Sequence, residues 1–353
     1  MTIDEIYMQR CLQLAAQAEG HTAPNPMVGA VLVCNGHIVG EGWHHRCGGP
    51  HAEMNAITNV ADEALLRQST LYVNLEPCSH YGKTPPCAEL IVSKGIPRVV
   101  VGMIDPHDRV AGRGISRLRD AGIDVCLSVL ETECRYLNRR FVTFHTQHRP
   151  YVLLKWAQTA DGFIDRLRTS VDTPPLKISN ALTKTLNHQM RTHETAILVG
   201  TNTALLDNPH LTVTKWTGPT PVRLLVDRSL RVPCDFRLYN AAAPTIIFTE
   251  KDIANHGNIE FQQIDFSKNI VPQILDALYH RNLLSVIVEG GRQLLQAFID
   301  GGWWDECHVE TVPLRLGNGI CAPHFAALPA RRIAYYGDNT MQIFEREPLL
   351  PIL

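Results

Sequence analysis

The sequence has little excess charge of either sign and no long apolar run. Its 33 Lys and Arg against 35 Asp and Glu leave a formal net charge of −2. That balance offers no electrostatic footprint for a long polyanion, so nucleic acid is not expected as a partner. No apolar stretch approaches the ~18 residues that a bilayer crossing needs, so no membrane span is expected. The opening Met1-Thr2-Ile3-Asp4-Glu5 lacks the basic and apolar regions of a secretory signal, and a cytoplasmic location is expected. The 10 cysteines are spread along the chain instead of framing a short one. Thiols and metal ligands are therefore expected in place of a disulfide framework, and small molecules are the expected substrates.

What is present suits a soluble globular protein of two domains: 353 residues, 45% hydrophobic and 19% charged. The polar, proline-ended stretch Thr146-Gln147-His148-Arg149-Pro150 marks a boundary, dividing the chain into residues 1–148 and 149–353. In the first part, Thr2 and Glu5 form a capping box ahead of a helix that buries Ile6, Cys11, Leu12, Leu14, Ala15 and Ala18 and ends near Gly20. Asn35-Gly36 predicts a hairpin turn between two strands. Helices are expected over His51 to Ala61, Cys87 to Lys94, Ile115 to Ala121 and Glu131 to Phe144, alternating with strands at Thr70 to Leu75, Arg98 to Gly102 and Asp124 to Val129. In the second part, strands are expected at Tyr151 to Ala157, Ala196 to Gly200, Val222 to Asp227, Thr245 to Thr249 and Ser285 to Glu289. Ser179 or Asn180 can cap a helix to Arg191, and Thr201 one to Asn208. Gly290-Gly291 opens a further helix and could seat a phosphate on unpaired N–H groups.

The chemistry concentrates in His51-Ala52-Glu53, Pro77-Cys78 and Cys87. One imidazole and two thiolates suit tetrahedral zinc and leave one position for water, the pattern of a catalytic site. All three ligands are expected at helix starts, where backbone N–H groups favour thiolate over thiol. Glu53 need not ligate; it can move protons between water and a leaving amine, the division of labour of zinc deaminases. The competing readings are a structural zinc site, completed by His44, His45 or Cys47, and a helix-start histidine beside two buried thiols. Gly112-Arg113-Gly114 is a weak match to a dinucleotide loop, since Arg117 stands where the third glycine should be.

Several stretches carry a resemblance. Thr22 to Gly29, Gly42-Trp43-His44, His51-Ala52-Glu53 and Pro77 to Cys87 resemble the deaminase half of the bifunctional riboflavin-biosynthesis deaminase-reductase family, within the cytidine-deaminase-like superfamily. The eight residues between the cysteines separate the chain from nucleic-acid and nucleoside deaminases, which usually have two. Lys155-Trp156-Ala157, Asp161-Gly162, Ile178-Ser179-Asn180, Leu198 to Thr201, Leu206 to Pro209 and Val288 to Gly291 resemble the reductase half. The resemblance implies an α/β protein with a three-layer, cytidine-deaminase-like N-terminal domain and a dihydrofolate-reductase-like C-terminal domain. The first would take zinc and deaminate a diaminopyrimidinone ribosylamino phosphate; the second would use NADPH to turn the ribosyl into a ribityl chain.

Residue by residue, the resemblance implies His51, Cys78 and Cys87 as ligands and Glu53 as proton shuttle, with Asn25, His44, Lys83 and Asp105 against the substrate. In the second half it implies Ala157, Lys177, Thr203, Asp207, Arg228, Gly290 and Gly291 for NADPH. Lys155, Arg191, Leu211 and Glu289 would meet the ribosyl phosphate. A homo-oligomer is expected. The chain departs from the family at Pro175-Leu176-Lys177-Ile178, at the charged Asp165-Arg166-Leu167-Arg168, and at Thr214-Lys215 where an arginine is usual one place earlier. The alternatives are a nucleoside or tRNA deaminase with a non-catalytic second domain and a structural-zinc binding protein.

Overall fold

The structure, a computed structural model, describes residues 1–79, 86–107, 111–324 and 328–346. Two compact units divide the chain, one over Met1–His148 and one beginning at Arg149. Among the described residues no helix is long and apolar enough to cross a membrane.

In the first unit a hairpin of β1 (Gly29–Cys34) and β2 (His37–Trp43) joins β3 (Ser69–Leu75), β4 (Arg98–Met103) and β5 (Asp124–Cys126) in one sheet ordered β2-β1-β3-β4-β5. The pairs β1–β2 and β1–β3 are antiparallel, and β3–β4 and β4–β5 are parallel. Period-two alternation sorts the strand side chains to two buried faces. Ala30, Leu32, Leu71, Val73, Val99 and Val101 meet α2 (Ala52–Thr58), α3 (Cys87–Lys94) and α4 (Arg113–Asp120). Val31, Val33, Tyr72 and Val100 meet α1 (Ile3–Ala16), α5 (Glu131–Leu137) and α6 (Arg139–Gln147). Three layers, helix on sheet on helix, result.

Thr2 and Glu5 make the expected capping box. The helix stops at Ala16, earlier than Gly20, because Gln17, Ala18 and Glu19 bond three residues back and tighten the chain into turns; Ile6 stays exposed. The single helix expected over Glu131 to Phe144 is two, broken at Asn138. The Asn138 amide accepts from the Met27 N–H at 2.8 Å and donates to the Met27 carbonyl at 2.9 Å, tying the break to the segment that follows Asn25.

The second unit holds β6 (Tyr151–Thr159), β7 (Phe163–Asp165), α7 (Ala181–His193), β8 (Ala196–Gly200), α8 (Thr201–Asp207), β9 (Val222–Val226), β10 (Thr245–Thr249) and β11 (Ile259–Gln263). After these come α9 (Ile270–Tyr279), β12 (Ser285–Gly290), α10 (Arg292–Asp300), β13 (Glu306–Val312), β14 (Ile320–Cys321), β15 (Arg332–Tyr336) and β16 (Asn339–Glu345). The main sheet runs β11-β10-β9-β8-β12-β6-β13-β16-β15, parallel from β11 to β13 and antiparallel through β16 and β15. Both faces are covered, by the clusters around Leu154 and Phe298 and around Leu153 and Leu211. The strands after Gly302 escape a hydrophobicity reading because β13 places Glu306, His308 and Glu310 on a covered face. Thr201 is not a cap: Gly200 holds that position and the Thr201 hydroxyl donates to the Val226 carbonyl at 2.7 Å.

In the first unit α2 lies on β2 at two glycines. A Cβ on Gly40 would stand 2.4 Å from the Ala56 carbonyl oxygen, and one on Gly42 2.4 Å from the Ala56 nitrogen. The helix that carries Glu53 is seated by this absence of side chains. Gly42→Ala is expected to cost about 1–3 kcal/mol by overpacking, measured as a lower denaturant midpoint for the first unit; an unchanged midpoint would mean that α2 can slide.

Candidate functional site

His51 caps the start of α2 and Glu53 sits buried in its first turn. The end of β3 runs through Glu76 and Pro77 into Cys78, and Cys87 is the first residue of α3. Only His51 and Cys87 are therefore at helix starts in sequence. Cys78 lies in the connection after β3, yet its sulfur accepts the Cys87 N–H at 3.3 Å, so it too meets a helix terminus through space.

The His51 Nδ1 is 3.6 Å from Cys78 Sγ and 3.4 Å from Cys87 Sγ. Tetrahedral zinc, with bonds of about 2.3 Å to sulfur and 2.0–2.1 Å to nitrogen, would hold such atoms about 3.6 Å apart. Among the described residues this is the one such cluster, and no fourth His, Cys, Asp or Glu joins it. The donor set fits zinc. Contact with Cys87 draws the Cys78 thiol down to about 4, while the same contact and burial push Cys87 up. A soft dication that binds both as thiolates displaces the thiol protons. Burial, then the charge of Cys78, raises Glu53 to about 6.

Asn25 and His44 come together. The His44 Nδ1 is 3.0 Å from the Pro50 carbonyl oxygen, so that nitrogen carries the proton and Nε2 accepts from the Asn25 amide at 3.1 Å. Burial lowers the His44 pKa, consistent with the neutral ring. His44 is edge-on to His51, with ring centroids 5.5 Å apart. The Asp105 carboxylate accepts the His107 N–H at 2.8 Å, and Lys83 lies outside the described residues.

In the second unit Lys155 on β6 and Glu289 on β12 share one sheet face. Arg191 of α7 pairs with Glu289 through two hydrogen bonds, of 2.9 and 2.6 Å, and donates to the Thr212 carbonyl at 3.3 Å. Burial resists the Glu289 charge, but Arg191 and Lys155 prevail and hold the carboxyl below its ordinary value. Burial depresses Lys155 against the pull of Glu289 and Glu310. Thr203 meets the glycine pair: a Cβ on Gly291 would lie 3.0 Å from its hydroxyl oxygen. The N-terminus of α10, capped by Gly291 with no side-chain hydrogen bond, opens beside it. A cofactor phosphate fits that cradle.

Other expected residues stand apart. Arg168 pairs with both Asp165 and Asp207, so the charged Asp165 to Arg168 run is an internal clasp on the expected cofactor residue. Arg228 is paired with Glu250 at 2.7 Å. The Leu211 side chain belongs to the hydrophobic core and can offer a ligand only its backbone; Lys177 is exposed, and Ala157 is half-buried near the end of β6.

Glu310 and Glu76 are buried carboxylates that the sequence pattern does not single out. Glu310 accepts from Ser179 at 2.5 Å and from the Asn339 amide at 2.5 Å, holding the start of α7 against β13. Glu76 receives four backbone N–H groups beside Cys78. The available signal for Glu76 was its place next to Pro77-Cys78; Glu310 carried none.

Residues 1–103 match the cytidine and deoxycytidylate deaminase zinc-binding region, and residues 150–326 match the RibD C-terminal domain. The chain is 41% identical over 323 residues to the riboflavin biosynthesis protein RibD of Aquifex aeolicus, covering 90% of this chain and 89% of that one. It is 33% identical to the RibD of Escherichia coli, covering 90% of each. A crystal structure of a Thermotoga maritima diaminohydroxyphosphoribosylaminopyrimidine deaminase and 5-amino-6-(5-phosphoribosylamino)uracil reductase superposes with a TM-score of 0.86 at 36% identity, over 97% of this chain and 98% of that one. The RibD of Acinetobacter baumannii does so with a TM-score of 0.85 at 28% identity, over the same shares. With its three-layer zinc-ligand unit and its reductase-type unit in that order, the chain belongs to the RibD family of riboflavin biosynthesis proteins.

Proposed function

We propose that the chain carries out two consecutive steps of riboflavin synthesis, deamination by residues 1–148 and reduction by residues 149–353. The substrate is a diaminopyrimidinone ribosylamino phosphate. The observation that carries this reading is the buried Glu53 beside three converging zinc-type ligand atoms to which it does not belong. The rival nucleoside or tRNA deaminase and structural-zinc readings are not favoured, because the relatives match through both halves of the chain.

His51, Cys78 and Cys87 would hold zinc, which when bound supplies the Lewis acidity that makes water a nucleophile near neutral pH. Glu53 accepts the water's proton and passes it to the departing ammonia. His44, kept neutral by burial and fixed in its tautomer by its bond to the Pro50 carbonyl, orients the Asn25 amide so that its oxygen can accept from the pyrimidine. Asp105 and Lys83 complete the substrate contacts in this reading.

In the second unit NADPH, when bound, supplies the hydride. Gly290, Gly291 and Thr203 receive a cofactor phosphate at the start of α10, and Ala157, Lys177, Asp207 and Arg228 line the rest of the cofactor's path. Lys155 and Arg191 take the ribosyl phosphate, with Glu289 aiming the guanidinium and the backbone at Leu211 alongside. This unit contributes positioning, which can supply a large part of a rate enhancement. We also assign the protein to the cytoplasm and expect self-association, which light scattering checks.

Glu53→Gln should retain zinc and lose ammonia release by about 10²–10⁴-fold, while reduction of the deaminated intermediate continues; equal loss of both activities would refute the division into sites. Removing zinc with a chelator should likewise stop ammonia release and spare NADPH oxidation. Lys155→Met should do the converse, abolishing NADPH oxidation with the deaminated intermediate and leaving ammonia release intact. Persistence of NADPH oxidation in that variant would remove Lys155 from the reductase site.

A further inference from the structure

Gly112-Arg113-Gly114 carries only the first two glycines of a dinucleotide loop, and its turn receives a carboxylate of the same chain. The Glu76 side chain is buried at the end of β3, one proline before Cys78. Its Oε2 accepts the N–H groups of Asp105 at 3.2 Å and Gly112 at 3.0 Å, and its Oε1 those of Gly114 at 2.9 Å and Ile115 at 3.3 Å. Gly112 is the N-cap of α4, in the left-handed region with φ of 75°, and makes no side-chain cap. Glu76 therefore caps α4 from a distant strand and satisfies donors that would otherwise be stranded. The second glycine is needed for close approach, since a Cβ on Gly114 would lie 2.0 Å from the Pro77 carbonyl oxygen.

These contacts join both sulfur ligands to one helix. Pro77, with its fixed φ, is the only residue between the anchored Glu76 and Cys78. On the other side, Arg117 of α4 donates to Glu89 in the first turn of α3 at 2.6 and 2.9 Å, two residues from Cys87. Cys78 closes the ring by accepting the Cys87 N–H through its sulfur and the Ala88 N–H through its carbonyl at 3.1 Å. The same carboxylate holds the backbone at Asp105, on the expected substrate side.

We propose that Glu76 is a positioning residue of the deaminase site, whose carboxylate sets Cys78 relative to Cys87 and holds Asp105 in register with them. This rests on the deaminase function proposed above. It goes beyond the ligands and proton shuttle by assigning the geometry of the sulfur pair to a residue that touches neither metal nor substrate.

The test uses the full chain with Glu76→Gln, which keeps the side chain's shape but turns an NH2 toward backbone donors. Zinc content is measured after equilibration with graded chelator, and ammonia release is expressed per bound zinc. Glu76→Gln should lose zinc at about 10–100-fold lower chelator concentration and raise KM for the pyrimidine, with reduction of the deaminated intermediate unaltered. Native zinc retention with native kcat and KM per zinc would overturn the proposal. So would parallel loss of both activities with normal retention in the folded fraction, which marks a merely structural role. If Glu76→Gln does not fold, Gly112→Ala is measured the same way, because it strains one donor at a position where, among the described residues, no atom lies within 4 Å of the new Cβ. If the native chain binds zinc and Glu76→Gln sheds it, yet neither releases ammonia from the pyrimidine, the substrate assignment fails while the positioning role stands.

Discussion

The first unit depends on bringing one imidazole nitrogen and two sulfurs from three separate segments to within bonding distance of a single cation. His51 arrives on α2, Cys78 from the end of β3 and Cys87 at the start of α3. Each is held by something other than the metal. The glycines of β2 let α2 lie against the sheet, and Glu76 and Pro77 hold the approach to Cys78. Such prior arrangement means that zinc binding need not also organise the surrounding chain.

Buried carboxylates recur as the organising device, and their partners decide what each one does. Glu53 has little to neutralise it and is lifted toward neutrality, as a proton carrier requires. Glu76 is surrounded by backbone donors and serves as an anchor. Glu289 faces Arg191 and Lys155 and stays charged, fixing a guanidinium that would otherwise swing. Glu310 binds Ser179 and Asn339 and closes the start of α7 onto the sheet. Because an unpaired charge in such places would cost several kcal/mol, each must be read together with its partners.

The departures from the family pattern have structural counterparts. The charged run ending at Arg168 folds back on Asp165 and Asp207, so its extra charge is compensated internally. The Glu289 carboxylate is paired with Arg191 from α7. Near Lys215, the Thr214 N–H donates to His188 at 3.2 Å.

Local chemistry was legible in the sequence alone. The capping box at Thr2, the strands of alternating or continuous apolar residues and the His51, Glu53, Cys78 and Cys87 set all follow from short-range spacing. The family resemblance reached further, pairing Asn25 with His44 and Lys155 with Glu289 in one site each. Only the tertiary structure decided that Asn138 breaks a helix to hold Met27, that the Gly112 to Gly114 turn receives Glu76, and that polar β13 is a covered strand. In all of these a polar group's partner is remote in sequence, and a buried polar residue looks like a surface one until that partner is in view.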